Sequence, residues 1–258
     1  ANSKNVPAVP VRCRRAGMKK AKAKSEVKVD VVLVENIWRA AMFGMLDKVK
    51  EICDAAAGSG AFFDVDAVDE CGATALVYAS RGGHVDVVRF LVEKGASVEL
   101  PGYGGMRPLH HAINHLREPT CSLLLELNAD ANATDSTGCT AMHYAAQAGA
   151  LNVLVKLIEK DANVNATSKT NMVPLHKAAQ AGGDAIARKL IEFGAEVDAQ
   201  DSAGNSALHY AAMVGFPNFV RLLLGNSAST KVQNKAKQTA ADCAMDDDIR
   251  AMIHNHNK

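Results

Sequence analysis

Aromatic side chains make up only 5% of the 258 residues. That scarcity argues against a core built around large rings, while 48% hydrophobic content still leaves ample apolar surface to bury. No apolar run approaches the ~18 residues that a membrane-spanning helix requires. The six cysteines, Cys13, Cys53, Cys71, Cys121, Cys139 and Cys243, contain no C-x-x-C pair and no regular spacing, which predicts free thiols in a reducing compartment rather than a disulfide framework. A phosphate-cradling Gly-x-x-x-x-Gly-Lys is absent, and no nucleophile, base and orienting group can be assembled. The chain is therefore expected to be no enzyme, with no cofactor, metal or small-molecule substrate.

What the sequence does contain is a period. Gly72, Gly105, Gly138, Asn171, Gly204 and Lys237 follow one another at intervals of 33 residues. Two positions after each stand Thr74, Arg107, Thr140, Val173, Ser206 and Thr239. Seven positions after stand Ala79, Ala112, Ala145, Ala178, Ala211 and Ala244, and then come Leu91, Leu124, Leu157, Leu190 and Leu223. A fixed register over this length indicates one supersecondary unit stacked repeatedly, each copy burying its apolar side only against its neighbours.

The slots read physically as turn, short helix, turn, second helix. Hydroxyls at Thr74, Thr140, Ser206 and Thr239 are suited to cap the first helix. Alanine stands where neighbouring inner helices must approach closely. Gly83, Gly149, Gly182 and Gly215 suit a left-handed helix end. Runs such as Val87, Val88, Leu91 and Val92 supply the stripe of the second helix. His110, His143, His176 and His209 recur at the same period, which predicts a short hydrogen bond from imidazole to turn backbone in each unit. The cluster His110, His111 and His115, like the pair His254 and His256, lacks partners at a recognised zinc spacing.

The segments Gly138-Cys139-Thr140-Ala141-Met142-His143-Tyr144-Ala145-Ala146 and Gly204-Asn205-Ser206-Ala207-Leu208-His209-Tyr210-Ala211-Ala212 resemble the G-x-T-P-L-H-x-A-A signature of the ankyrin-repeat family, and Gly194-Ala195-Glu196-Val197-Asp198-Ala199 resembles its unit ending. The resemblance covers roughly residues 36 to 258. It implies an all-α solenoid of about seven helix-turn-helix units, near 36–68, 69–101, 102–134, 135–167, 168–200, 201–233 and 234–258, after a basic tail over residues 1–30.

Three places depart from the pattern. Ala40 lies 39 residues before Ala79, so about six residues are inserted, expected as a loop at Ala55-Ala56-Ala57-Gly58-Ser59-Gly60. Leu116 replaces the helix-ending glycine, and Pro119 follows where a helix can begin. In the last unit Asp246-Asp247-Asp248 takes the place of the apolar stripe, the polar character of a terminal cap.

Charge separates the tail from the stack. Lys4, Arg12, Arg14, Arg15, Lys19, Lys20, Lys22 and Lys24 give residues 1–25 a charge of +8 with no acid; removing these eight from 29 basic residues leaves 21 against 28 acids, a formal −7. Three readings of the tail stay open. It is a solubilising extension, a remnant of plastid or mitochondrial targeting, since Val11-Arg12-Cys13 resembles a processing site, or an arm that holds RNA or another anionic surface through Arg12 to Lys24. Cytoplasm or nucleus is the alternative location. Val27, Val29, Val31, Leu33 and Ile37 alternate and are expected to cover the first helix pair.

The family resemblance implies recognition by turn tips and exposed inner-helix positions. Here these include Tyr103, Met106, Cys139, Lys169 and Met172 from the turns, with Arg81, Asn114, His115, Gln147, Gln180 and Met213 from the helices. The expected function is binding another protein within a complex, as an accessory subunit of a larger organellar assembly. The alternatives are an assembly chaperone resembling ankyrin proteins that dock proteasome subunits, and an RNA-associated factor acting through the tail.

Overall fold

A computed structural model describes residues 31–58 and 63–256. Its helices come in pairs: α1 (Val31–Met42) with α2 (Leu46–Gly58), α3 (Ala75–Gly82) with α4 (Val85–Glu93), α5 (Pro108–Asn114) with α6 (Glu118–Glu126), and α7 (Ala141–Ala148) with α8 (Leu151–Glu159). The series continues through α9 (Pro174–Ala181) with α10 (Asp184–Glu192), α11 (Ala207–Val214) with α12 (Pro217–Gly225), and a terminal α13 (Asp247–Asn255). The odd-numbered helices from α1 to α11 pack in sequence as an inner layer, and α2 to α12 pack as an outer one.

Local chemistry sets the period. Each unit requires the left-handed backbone region three times, and each requirement repeats at 33 residues: at the turn tip, as in Gly138; between the two helices, as in Gly149; and after the second helix, as in Gly194. Non-glycine residues fill some of these slots, with Asn171 and Lys237 at tips, Leu116 between helices, and Asn128, Asp161 and Ser227 after second helices. The alanines at 79, 112, 145, 178 and 211 and the leucines at 91, 124, 157, 190 and 223 are fully buried, so small residues let the inner helices approach while large ones fill the space between layers.

Several expectations are corrected. Of the expected loop, Ala55 to Gly58 continue α2, which runs 13 residues where the other outer helices run nine, while Ser59 and Gly60 lie outside the described residues. Val31 to Ile37 do not cover the first helix pair from outside but begin its first helix, α1, while Val27 and Val29 lie outside the described residues. The last unit has no inner α-helix. Thr239 and Asp242 exchange capping hydrogen bonds, but Ala240 to Cys243 form only turns, because Asp246 already caps α13 six residues after Ala240. The acid triplet is the start of α13 rather than its face: Asp246 accepts from the Ile249 amide at 2.7 Å, and Ile249 and Ile253 are buried.

Candidate functional site

The turn tips are built by a side-chain latch that the sequence period alone did not suggest. Asp135 Oδ1 accepts from the amides of Thr137 and Cys139 at 2.8 and 2.9 Å, while Oδ2 accepts from the Tyr144 hydroxyl at 2.6 Å. Asp69 with Tyr78 and Asp201 with Tyr210 do the same. Ser168 and Asn234 hold their tips without a tyrosine. The signal was an Asp three residues before three of the landmarks, at 69, 135 and 201, with Tyr nine residues on. Burial would raise the Asp135 carboxyl, but hydrogen bonds from Tyr144 and Thr137 hold it below the ordinary carboxylate range. Burial and the same carboxylate-type partner push the Tyr210 hydroxyl up to about 12.

Adjacent tips are joined by backbone. Ser136 donates to the Gly104 carbonyl, Lys169 to Thr137, Ser202 to Thr170 and Lys235 to Ala203, at 2.8–3.0 Å. At the foot of the units a second ladder runs from side chain to backbone: Asp66, Glu99, Asn132, Asn165 and Asp198 accept from the amides of Ser97, Asp130, Asn163, Glu196 and Ser229. Together these fix the units from the third to the sixth to one another at two levels, with the foot ladder alone joining the first three and the tip ladder alone joining the last.

The periodic histidines form a third tie. The amides of Arg107, Thr140, Val173 and Ser206 donate to Nδ1 of His110, His143, His176 and His209 at 3.0–3.2 Å. Nε2–H of His143, His176 and His209 then donates to a carbonyl of the following unit, Met172, Asn205 and Gln238, while that of His110 donates to Ala133 at the end of its own unit. An amide donor at Nδ1 fixes the tautomer as Nε2–H, so both nitrogens are committed and His110 has no lone pair to give a metal. Burial drives all four pKa values down, that of His110 to about 4. In the second unit Val77 occupies the histidine slot, and Thr74 caps α3 directly, its Oγ1 accepting from the Val77 amide. At Thr140 and Ser206 the hydroxyls also lie 3.0 and 2.9 Å from Nδ1.

On this frame Arg81, Asn114, Gln147, Gln180 and Met213 stand exposed, one on each inner helix from α3 to α11, and His115 is half-buried at the end of α5. Because those helices pack consecutively, the five positions form one strip. The tip residues lie beside it: Lys169 is exposed, while Met106, Cys139 and Met172 are half-buried. Tyr103 is 72% exposed for a definite reason. Its unit has Gly102 where the others have a latch, and the tip closes as a 3-10 turn over Tyr103–Gly105. Val214 and Leu116 add apolar surface. Arg117, which sequence reading passed over, reaches back across the unit boundary to the Arg81 carbonyl at 3.2 Å. The tail residues Arg12, Arg14, Arg15, Lys19, Lys20, Lys22 and Lys24 lie outside the described residues.

Among the described residues no helix is long and apolar enough to cross a membrane, and no disulfide forms; Cys53 and Cys121 are buried, and burial pushes the Cys121 thiol up to about 12.

The family model described as "Ankyrin repeats (3 copies)" matches residues 37–135, 104–168, 118–201, 142–236 and 175–255. The crystal structure of the human ASB11 ankyrin repeat domain superimposes with a TM-score of 0.75 at 25% identity, covering 85% of this chain and 96% of that one. The ankyrin repeat domain of Bcl-3 gives 0.71 at 28% identity, covering 84% and 97%. Among curated proteins, human palmitoyltransferase ZDHHC13 is 32% identical over 111 residues, 43% of this chain and 17% of the relative. The Neurogenic locus Notch protein of Drosophila melanogaster is 31% identical over 135 residues, 46% of this chain and 5% of the relative. The chain thus spans less than a fifth of the length of these curated relatives.

Proposed function

The chain belongs to the ankyrin-repeat family, whose repeats indicate a protein-protein interaction module, and from that premise we propose that it is a non-catalytic subunit that grips one partner protein along the strip formed by its inner helices and turn tips. The observation that carries this reading is the strip itself, with an exposed position on each inner helix from α3 to α11 above turn tips and histidine caps held by hydrogen bonds. Tyr103 and Met213 carry large contact surface at slots where folding does not require it. The commitment of both nitrogens in each periodic histidine supports a binding role over a chemical one.

Membership of an organellar assembly belongs to the same proposal, on the strength of the acid-free basic residues 1–25. The test is size fractionation of the source extract under native conditions, with the chain's mature N-terminus mapped in the same fractions. Co-migration with a finished large complex is expected. Migration only with a small, incomplete subcomplex would replace the accessory subunit by an assembly chaperone.

A further inference from the structure

The third unit breaks the pattern of its neighbours electrostatically. Arg117 lies over the end of α3 so closely that a Cβ on Gly83 would come within 2.7 Å of its Cδ, and its Nε donates to the Arg81 carbonyl. α3 packs directly on α5, His115 follows His111 by one turn with its amide donating to the His111 carbonyl at 3.2 Å, and Arg117 reaches the Arg81 carbonyl, so the four residues share one junction, where the charge of Arg81 bears on both histidines and that of Arg117 on His115. Among the described residues no carboxylate forms an ion pair with either arginine. The nearest acid in sequence, Glu118, is engaged elsewhere, its Oε2 accepting from Asn152 Nδ2 at 3.2 Å.

A second observation points the same way. His111 is 9% exposed, and its Nε2 has no hydrogen-bond partner, unlike Nε2 of His110, His143, His176 and His209. A buried polar nitrogen left unpaired within the field of Arg81 is costly unless something completes it. Arginine forks match the oxygens of carboxylate and phosphate.

We propose that Arg81, His111, His115 and Arg117 form a pocket for one oxyanion, a phosphate or carboxylate carried on a side chain of the partner polypeptide. The source of the anion rests on the binding-strip reading; the pocket itself does not. The slots that Arg81-Gly82 and Asn114-His115 occupy are filled in the following units by Gln147-Ala148, Gln180-Ala181 and Met213-Val214. One cationic point in a row of inner-helix slots that are neutral in the following units suits a single acidic side chain, whereas a nucleic-acid backbone asks for a row of cations.

The full chain, carbon-labelled in its histidine rings, is titrated with inorganic phosphate at constant ionic strength. Saturable shifts of His111 and His115 are expected, with His143 and His176 unmoved. Arg81→Gln and Arg117→Gln should each weaken the response about tenfold, and the unmoved histidines report that these variants remain folded. Shifts that are absent, linear with salt, or unchanged in both variants overturn the pocket. In a second arm, a peptide with one phosphoserine, a peptide with one glutamate and a short single-stranded RNA are compared. Tighter binding of either peptide supports the assignment and identifies the group; tighter binding of the RNA overturns it. If phosphate binds but capture of the native partner is unchanged by Arg117→Gln, the pocket's use by that partner fails, while the strip is judged separately through Tyr103 and Met213.

Discussion

His143 Nε2 lies 2.8 Å from the carbonyl oxygen of Met172, so an imidazole capping one inner helix is hydrogen-bonded to the turn of the next unit. His176 and His209 make the equivalent tie to Asn205 and Gln238, His110 bonds instead to Ala133 of its own unit, and each of the four rings must be neutral to accept an amide proton at Nδ1.

A definite acid sensitivity follows. The folded-state pKa values of these histidines lie below the ordinary 6.5, chiefly through burial, so protons bind the unfolded chain more readily than the folded one. Stability is therefore fully present above about pH 6.5 and is lost as pH falls toward the folded values. For His110, held down to about 4, the loss amounts to roughly 3 kcal/mol by pH 4. Urea unfolding at pH 7, 6, 5 and 4 checks this. His143→Gln should flatten the dependence, and an identical slope in that variant would remove the histidine explanation.

Two glycines with the same backbone sign should differ in their tolerance of alanine. Gly138 has φ +81 and a Cβ there would meet the Lys169 amide nitrogen at 2.7 Å, whereas Gly149 has φ +70 and open space around it. Gly149→Ala is expected to cost about 1–2 kcal/mol, the left-handed penalty alone. Gly138→Ala should cost more, because the tip ladder must part. Chemical denaturation of the two variants side by side decides it, and equal losses would mean that the ladder yields freely.

Leu157 is fully buried in α8, with neighbouring outer helices on either side. Leu157→Ala should destabilise the stack by ~2–5 kcal/mol through lost burial and a residual cavity. A thermal melt unchanged by the substitution would contradict the packing register described here.

The stack was legible in the sequence because its requirements are local and repeated. The alanine and leucine slots, the glycine helix ends and the histidine caps each follow from what one unit needs of its own backbone. The latch of Asp135 on Tyr144 was less visible, since two of the tips use Ser168 and Asn234 and one has Gly102, which blurs the period. The fate of the last inner helix was hidden too, because Thr239 and Asp242 do form a start signal, and only the distance to Asp246 shows that too few residues follow. Arg117 escaped notice because its role depends on reaching Arg81, 36 residues away, across a unit boundary that no local pattern describes.

Site-specific photocrosslinking in the native complex tests the central claim most directly. A photoreactive phenylalanine is placed in turn at Tyr103 and Met213, on the strip, and at Arg188 and Arg221, exposed on the outer helices α10 and α12. The same partner polypeptide should be captured from 103 and 213, with little from 188 or 221. Capture confined to the two outer-helix positions would contradict the account and move the binding surface to the opposite layer.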